Sequence, residues 1–270
     1  MDSKGTALAQ KTNKALLGAN PAGYFLALAT EGKLHERFPE IAALRGVQQD
    51  PACHPEGDAF VHTMIVLRHA AAVKGQAEDP LAFMYAALYH DVGKAETTVY
   101  DKKKGRWTSI GHEDAGAQIA QNAVIRLTGD GELAGYVENM VKMHMRPHNI
   151  PLTSKPKSTN RMFDESVSPE DLLLLFRCDT GREDADEKHM ERIRWLESRL
   201  ERYHAVIMKP EVTAEDLVAL GYGPEPKFHA ILAKCRQVYL AEVPKETILK
   251  MVPAIIKNMK NRHMRGMPNG

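Results

Sequence analysis

The stretch PLAFMYAALYHDVGK, residues 80–94, is the most informative part of the chain because a helical apolar pattern runs directly into a histidine–aspartate pair. Apolar residues at spacings of three and four predict a helix over residues 81–88. Gly93 supplies the end of that helix. Neighbouring residues on a continuous helix point about 100° apart, so His90 and Asp91 reach one ion together only near a helix end.

The same helical periodicity covers most of the chain. It occurs in residues 7–17, 24–29, 60–73, 119–127 and 133–141, and further helices are predicted over 185–205, 224–240 and 247–259. Capping side chains stand before a proline at Asn20-Pro21, Asp79-Pro80 and Ser168-Pro169, which is typical of helix starts. These patterns predict an all-α fold.

Two segments depart from the helical pattern. Residues 97–110 contain two β-prone runs around a polar turn with Gly105, which predicts one short β-hairpin. Pro147 and Pro151 predict that the helix carrying His144 stops there and that a loop follows to about residue 161.

The composition is that of an ordinary globular protein. The chain has 270 residues, of which 43% are hydrophobic and 26% charged, so a disordered, collagenous or fibrous chain is excluded. Lys and Arg number 36 against 35 Asp and Glu, which gives a formal net charge of +1. That balance argues against general coating of DNA, but the basic residues 102–104 and 257–265 leave RNA binding open.

The cysteines bear on the cellular compartment. Cys53, Cys178 and Cys235 are widely spaced and form no CxxC pair, which fits neither a disulfide framework nor a zinc ribbon. No apolar run approaches the roughly 20 residues of a membrane span, and the N-terminus has no continuous secretory core. We therefore expect a cytoplasmic protein without a membrane partner, and the sequence leaves its oligomeric state open.

Residues of metal-binding type stand at the ends of predicted elements. They are His62, His90, Asp91, His112, His144 and Asp179. Successive histidines and the final aspartate are separated by 28, 22, 32 and 35 residues, which excludes a local zinc motif. These spacings predict a site assembled from different helices, with nitrogen and oxygen ligands for one or two divalent ions.

The order of these residues resembles the HD superfamily of metal-dependent phosphohydrolases, through His62-Thr63, HDVGK at 90–94 and GHE at 111–113. The motif HPEGD at 54–58 is similar to the HD module of bacterial CCA-adding enzymes, the tRNA nucleotidyltransferases. Flanking likeness extends the resemblance over roughly residues 22–243, through FPEI at 38–41, GVQQDP at 46–51, DLVALG at 216–221 and PEP at 224–226.

The resemblance implies an HD-domain helical bundle with flanking N- and C-terminal helices. We expect an N-terminal helical segment at 1–50, the HD domain at 51–205 and a C-terminal helical segment with a basic tail at 206–270. The catalytic head of the CCA-adding family, with its glycine-rich turn and paired carboxylates, has no counterpart in this sequence, so addition of nucleotides to tRNA is not expected.

The resemblance also implies roles for individual residues. His62, His90, Asp91 and Asp179 would hold one divalent ion, and His112 and His144 would complete a second ion that Asp91 bridges. Mn, Ni, Mg, Co, Fe and Zn are not distinguished. Catalysis would rest on Asp91 and Lys94. Position, and not the resemblance, gives the phosphate contacts: Lys94 follows the helix end beside the metal, and Arg146 and His148 flank the predicted helix stop at Pro147, so we expect these three residues to bind substrate phosphate.

The implied function is hydrolysis of nucleotide or RNA-end phosphates by metal-activated water. The substrate is either a phosphomonoester or a 2′,3′-cyclic phosphodiester. Two alternatives stay open at this point. One is a regulatory HD module that binds RNA or a nucleotide and keeps an idle or structural metal site, and the other is a hydrolase of nucleoside triphosphates or guanosine polyphosphates.

Overall fold

The computed structural model describes residues 3–52, 54–181, 187–209, 211–223 and 228–265, of which the side chains of 3–6 and 260–265 are not described. The helices are α1 (Ser3–Leu17), α2 (Pro21–Thr30), α3 (Leu34–Arg37), α4 (Pro39–Ala42), α5 (Ala59–Val73), α6 (Pro80–Tyr89), α7 (Lys94–Thr97), α8 (His112–Thr128), α9 (Gly131–Met143), α10 (Arg146–Asn149), α11 (Pro156–Glu165), α12 (Pro169–Asp179), α13 (Glu187–Ile207), α14 (Ala214–Ala219), α15 (Phe228–Tyr239) and α16 (Lys245–Arg265). A 3-10 turn follows α5 at Lys74–Gln76. The predicted all-α class is confirmed.

Helix α6 forms the centre of the core around the candidate site. Residues 82–89 of α6 are all buried, and α1, α5, α9 and α12 pack against it. A helix that is apolar on every side is stable only when other elements enclose it. The C-terminal end of α6 therefore lies inside the protein, and the residues that follow it are buried as well.

The predicted helix starts are confirmed. Asn20 accepts a hydrogen bond from the backbone N–H of the third residue after it, and Asp79 and Ser168 cap α6 and α12 in the same manner. Loss of such a cap typically costs about 1 kcal/mol of stability. The predicted starts of the helices at 185 and 224 lie outside the described residues. Cys53 and the PEP motif at 224–226 also lie outside them.

The hairpin is confirmed and is shorter than predicted. Strands β1 (Val99–Asp101) and β2 (Arg106–Thr108) pair antiparallel, with Tyr100 opposite Trp107. The two rings meet edge to face with centroids 5.3 Å apart. Trp107 is therefore packed on the hairpin itself, and Nη1 of Arg106 lies 3.3 Å from Oδ2 of Asp50 in the loop before α5.

The prediction of a loop from Pro147 to about residue 161 is wrong in part. Pro147 lies at the second position of α10, and α11 occupies residues 156–165, most of which were expected to be irregular. Proline at the start of a helix loses no hydrogen bond because the first N–H groups have no partner within the helix. Pro156 therefore begins α11 instead of extending the loop.

The chain divides into two compact units, residues 1–150 with 166–193 and residues 151–165 with 194–270. The first unit contains the six predicted metal ligands. Within the second unit, Nδ2 of Asn160 donates to the Leu240 carbonyl at 3.0 Å, and the Tyr239 hydroxyl donates to the Lys209 carbonyl at 2.7 Å. The three-segment division expected from the sequence stays a prediction. Among the described helices, none is long and apolar enough to cross a membrane.

Candidate metal centre

His90 and Asp91 occupy the turn between α6 and α7. Helix α6 ends at Tyr89, and His90 is its C-cap residue. His90 is fully buried and Asp91 is 2% exposed. The predicted placement of this pair at a helix end is confirmed, and the turn lets both side chains point into one interior space.

Gly93 ends this turn for a reason that the sequence pattern did not suggest. Its φ of −68° is an ordinary helical value, so no left-handed residue terminates α6. A Cβ atom on Gly93 would lie 2.1 Å from the His112 carbonyl oxygen and 2.6 Å from the Gly116 nitrogen. Glycine is needed here because the start of α8 packs directly on the turn, and that contact brings His112 to the site.

The remaining predicted ligands come from four further helices. His62 lies in the first half of α5, His112 begins α8, His144 directly follows α9 and Asp179 ends α12. His62, His112 and His144 are buried, and the Asp179 side chain is 9% exposed. The packing of these helices around α6 brings all six predicted ligands together.

The two carboxylate oxygens of Asp91 face different histidines. Oδ1 lies 3.2 Å from Nε2 of His112 and 3.7 Å from Nε2 of His144. Oδ2 lies 3.3 Å from Nε2 of His90 and 3.6 Å from Nε2 of His62. Asp91 therefore stands between two pairs of imidazoles, with one oxygen directed to each pair.

Asp179 reinforces one of those pairs. Its Oδ1 lies 2.8 Å from Nε2 of His62 and 3.6 Å from Nε2 of His90. Its Oδ2 lies 2.9 Å from Nε2 of His148. The His62–His90 pair thus has a carboxylate on two sides.

Backbone carbonyls hold three of the imidazoles in one orientation. Nδ1 of His90 donates to the Ala87 carbonyl at 2.9 Å. Nδ1 of His112 and Nδ1 of His144 likewise donate to the carbonyl three residues earlier, at 2.7 and 2.5 Å. When such a ring is neutral, its one proton is on Nδ1 and the lone pair of Nε2 faces the carboxylates. This tautomer is the one a metal ligand requires.

His62 reaches the same state through a side chain. Its Nδ1 lies 2.6 Å from Oε1 of Glu56, and the same oxygen lies 3.2 Å from Nδ1 of His54. Burial alone would raise the pKa of Glu56, but the bond with His62, a backbone hydrogen bond and the nearby His62 and His54 rings together outweigh burial and lower that pKa to about 2. Glu56 is therefore an ionised acceptor that fixes the proton on Nδ1 of His62.

The charges in this space attract cations. Burial opposes protonation of His90, but the neighbouring Asp91 and Asp179 carboxylates outweigh it and raise the His90 pKa to about 10. Burial also opposes ionisation of Asp91, whose pKa is nevertheless held well below its usual value by Lys94 and His90. The field at the site is therefore negative enough to hold positive charge.

The residues fit a divalent metal ion. Nε2 of His90 is buried and forms no hydrogen bond with any described residue, although it faces two carboxylates. Imidazole nitrogens with carboxylate oxygens suit Mn, Fe, Co, Ni and Zn. Donor atoms lie within 4.8 Å of one another in two groups centred on Asp91, namely His62–His90–Asp91 and Asp91–His112–His144.

Lys94 is a buried cation in direct contact with Asp91. It begins α7, is 7% exposed, and places Nζ 2.6 Å from Oδ2 of Asp91. The same ammonium donates to Oε1 of Gln49 at 2.7 Å. Lys94 is thus held inside the site and is not a solvated residue at a helix end.

The other predicted phosphate contacts have different surroundings. His148 in α10 is partly buried and contacts Asp179, as given above, and its ring meets that of Phe176 edge to face at 4.7 Å. Arg146 begins the same short helix with an exposed side chain. The structure brings His148 to the metal-ligand cluster, and a substrate role for Arg146 stays a prediction.

Comparison with known families agrees with this geometry. The family model of the HD domain matches residues 59–180, which include every predicted metal ligand. The chain contains an HD domain. HD domains generally mark metal-dependent hydrolases, and the His/Asp cluster fits their metal site.

A known protein is similar to about half of this chain. The multifunctional CCA protein of Pasteurella multocida (strain Pm70) is 37% identical over 139 residues. That alignment covers 51% of this chain and 32% of the relative, so the matched part is about one third of the relative's length. The similarity agrees with the resemblance to the HD module of CCA-adding enzymes.

Two site residues outside the HD-domain match were missed in the sequence. Gln49 and Glu56 precede residue 59 and lie in the segments GVQQDP and HPEGD. Both segments were noticed for their resemblance, but nothing in their spacing indicated a contact with Lys94 or His62. An isolated antiparallel bridge between Gln48 and Asp58 aligns the two segments beside α5.

Proposed function

We propose that this HD domain is a metal-dependent phosphohydrolase that acts on nucleotide or RNA-end phosphates. The observation that carries the proposal is the division of the Asp91 carboxylate, with Oδ1 directed to His112 and His144 and Oδ2 directed to His62 and His90. This arrangement supports two adjacent ions with Asp91 between them, and Asp179 adds a second carboxylate on the His62–His90 side.

The metal ions would supply Lewis acidity and a water molecule that is nucleophilic at neutral pH. The chain contributes the rest of the site. Glu56 and three backbone carbonyls keep the imidazole lone pairs directed inward, so the ligands need no rearrangement before an ion binds. No serine, cysteine or covalent intermediate is required.

Lys94 is proposed to stabilise negative charge on the phosphoryl oxygens. Its ammonium is buried beside Asp91, where a phosphate close to the ions would also lie. Charges about 4 Å apart interact by roughly 4 kcal/mol at an effective dielectric constant of about 20, and desolvation leaves less than that. His148 contacts Asp179 and is proposed as a further phosphate contact at the opposite side of the cluster.

The substrate class is supported by the relative and by surface charge. The similarity to a multifunctional CCA protein favours a nucleotide or an RNA end. The exposed lysines 102–104 form the turn of the hairpin, and Arg106, directly after that turn, contacts Asp50, the neighbour of Gln49. A phosphomonoester or a 2′,3′-cyclic phosphodiester is the proposed scissile group.

A metal and substrate panel tests the proposal. Purified protein is analysed for metal and then assayed for phosphate release from p-nitrophenyl phosphate, nucleoside monophosphates and 2′,3′-cyclic nucleotides with Mn, Ni, Mg and Co. We expect metal-dependent turnover that Asp91→Asn abolishes and that Asp114→Asn, at an exposed position of α8, leaves unchanged. Bound metal without turnover would favour a binding module, and faster cleavage of nucleoside triphosphates or guanosine polyphosphates would favour that substrate class.

A further inference from the structure

We propose that the side-chain amide of Gln49 binds a phosphate oxygen beside Lys94. The inference rests on the proposed function, because the oxyanion it assigns is the phosphate of that reaction. Gln49 lies in the loop before α5 and is 4% exposed. Its backbone N–H donates to the Gly57 carbonyl at 2.9 Å, so the residue is fixed at both main chain and side chain.

The contact with Lys94 determines which way the amide points. A lysine ammonium has only donors, so the group 2.7 Å from Nζ must be the oxygen of Gln49 and not its nitrogen. The NH2 group is therefore on the other side of the amide. It is buried and has no hydrogen-bond acceptor among the residues that the structure describes.

A buried donor without an acceptor is unfavourable, and such groups in native proteins call for a ligand, a water molecule or a functional reason. A glutamate at this position would hold the ammonium more strongly, because its bond with lysine would be charge-assisted on both sides. Glutamine differs from glutamate by offering two N–H donors. The NH2 group of Gln49, which does not contact Lys94, is therefore the feature that needs an explanation.

The position of the amide suits an oxyanion. Lys94 contacts both Oε1 of Gln49 and Oδ2 of Asp91, so the amide lies beside the ammonium that contacts the metal-ligand carboxylate. The carboxylates of Asp91 and Asp179 repel an anion that enters the site. A phosphate oxygen near Lys94 would meet an ammonium and an amide donor together, which is the chemistry that recognises a phosphate.

Binding of inorganic phosphate to the metal-loaded protein tests this subsite without turnover. Gln49→Glu keeps an oxygen for Lys94 but removes the N–H donors, and Gln49→Met removes both at a similar side-chain length. Gln48→Glu is the matched control, because it makes the same charge change at the exposed neighbouring residue. Calorimetric titration with phosphate is combined with metal analysis and thermal unfolding of each variant.

We expect the phosphate dissociation constant to rise about tenfold or more in both Gln49 variants and to stay within about twofold in Gln48→Glu, with equal metal content throughout. Wild-type affinity in the Gln49 variants would overturn the inference, as would an equal loss in Gln48→Glu or the absence of phosphate binding by the metal-loaded wild type. If Gln49→Glu does not fold, Gln49→Met decides alone. Phosphate binding that depends on Gln49 in a protein without turnover would support this subsite while contradicting the proposed hydrolysis.

Discussion

Nε2 of His112 and Nε2 of His144 lie 3.1 Å apart, although each ring donates its Nδ1 proton to a backbone carbonyl. In that tautomer both facing nitrogens are acceptors, so they cannot bond to each other and need a shared cation between or beside them. Burial lowers the pKa of His144, which favours the neutral ring that a metal ligand requires. The distance between the two rings therefore supports a second metal ion more strongly than the order of the two histidines in the sequence does.

Replacement of His112 should remove that second ion. We expect His112→Ala to reduce bound metal from about two ions per chain to about one and to lower turnover, because Asp91 Oδ1 then faces a single imidazole. Elemental analysis after dialysis against metal-free buffer measures the stoichiometry. His35→Ala, at an exposed position of α3, is the control. Two ions in His112→Ala would contradict the assignment of this ligand.

Asp91→Asn tests the ligand shared by both imidazole pairs. The amide keeps the size of the carboxylate but removes its charge, so we expect loss of metal and of turnover in a protein that still folds. Binding of metal to the folded state stabilises wild type by about 2.7 kcal/mol at a hundredfold excess over the dissociation constant. EDTA should therefore lower the Tm of wild type and leave that of Asp91→Asn unchanged. An equal EDTA effect on both proteins would refute the assignment.

Glu56→Gln tests the positioning of His62. The amide retains an oxygen that accepts the Nδ1 proton, but it lacks the charge that strengthens the bond. We expect metal affinity to fall by about 10- to 100-fold without a change in stoichiometry at saturation. Competition with a fluorescent chelator measures the affinity, and Glu36→Gln at an exposed position is the control. Unchanged affinity would contradict a positioning role of Glu56 toward His62.

The sequence predicted the position of a site residue best where that residue lies at or beside the end of a helix. His90, Asp91, His112 and His144 follow apolar periodicities or turn signals, so their positions could be predicted although their distances could not. Asp179 was likewise expected at the end of an element, and the structure places it at the last residue of α12.

The residues that the sequence did not reveal act through contacts between loops. Gln49 contacts Lys94, which lies 45 residues later in the sequence. The loop that carries Gln49 is positioned by an isolated bridge between Gln48 and Asp58, and no hydrophobic alternation in the sequence predicts that bridge. Gly93 was interpreted as a helix terminator, yet its small size serves the close approach of α8. Such contacts depend on how helices pack, which periodicity within one segment does not encode.

Lys94→Met separates the phosphate contact from metal binding. Methionine keeps much of the stem and removes the charge that lies 2.6 Å from Asp91 Oδ2. With the ions bound, Asp91 still has positive neighbours, so metal content and the Tm of the loaded protein should stay near wild type. We expect kcat/KM to fall by about 10- to 100-fold, which corresponds to roughly 1.4–2.8 kcal/mol of lost transition-state stabilisation.

The same variant should respond differently once metal is removed. Without ions, the buried Asp91 carboxylate loses the ammonium that contacts it and keeps the imidazoles as neighbours, and weaker compensation of a buried charge is destabilising. We therefore expect EDTA to lower the Tm of Lys94→Met more than that of wild type, whereas Lys103→Met on the exposed hairpin turn should behave as wild type. Full activity in Lys94→Met would assign the phosphate contact to another residue, and His148, already 2.9 Å from Asp179, would be the next position to replace.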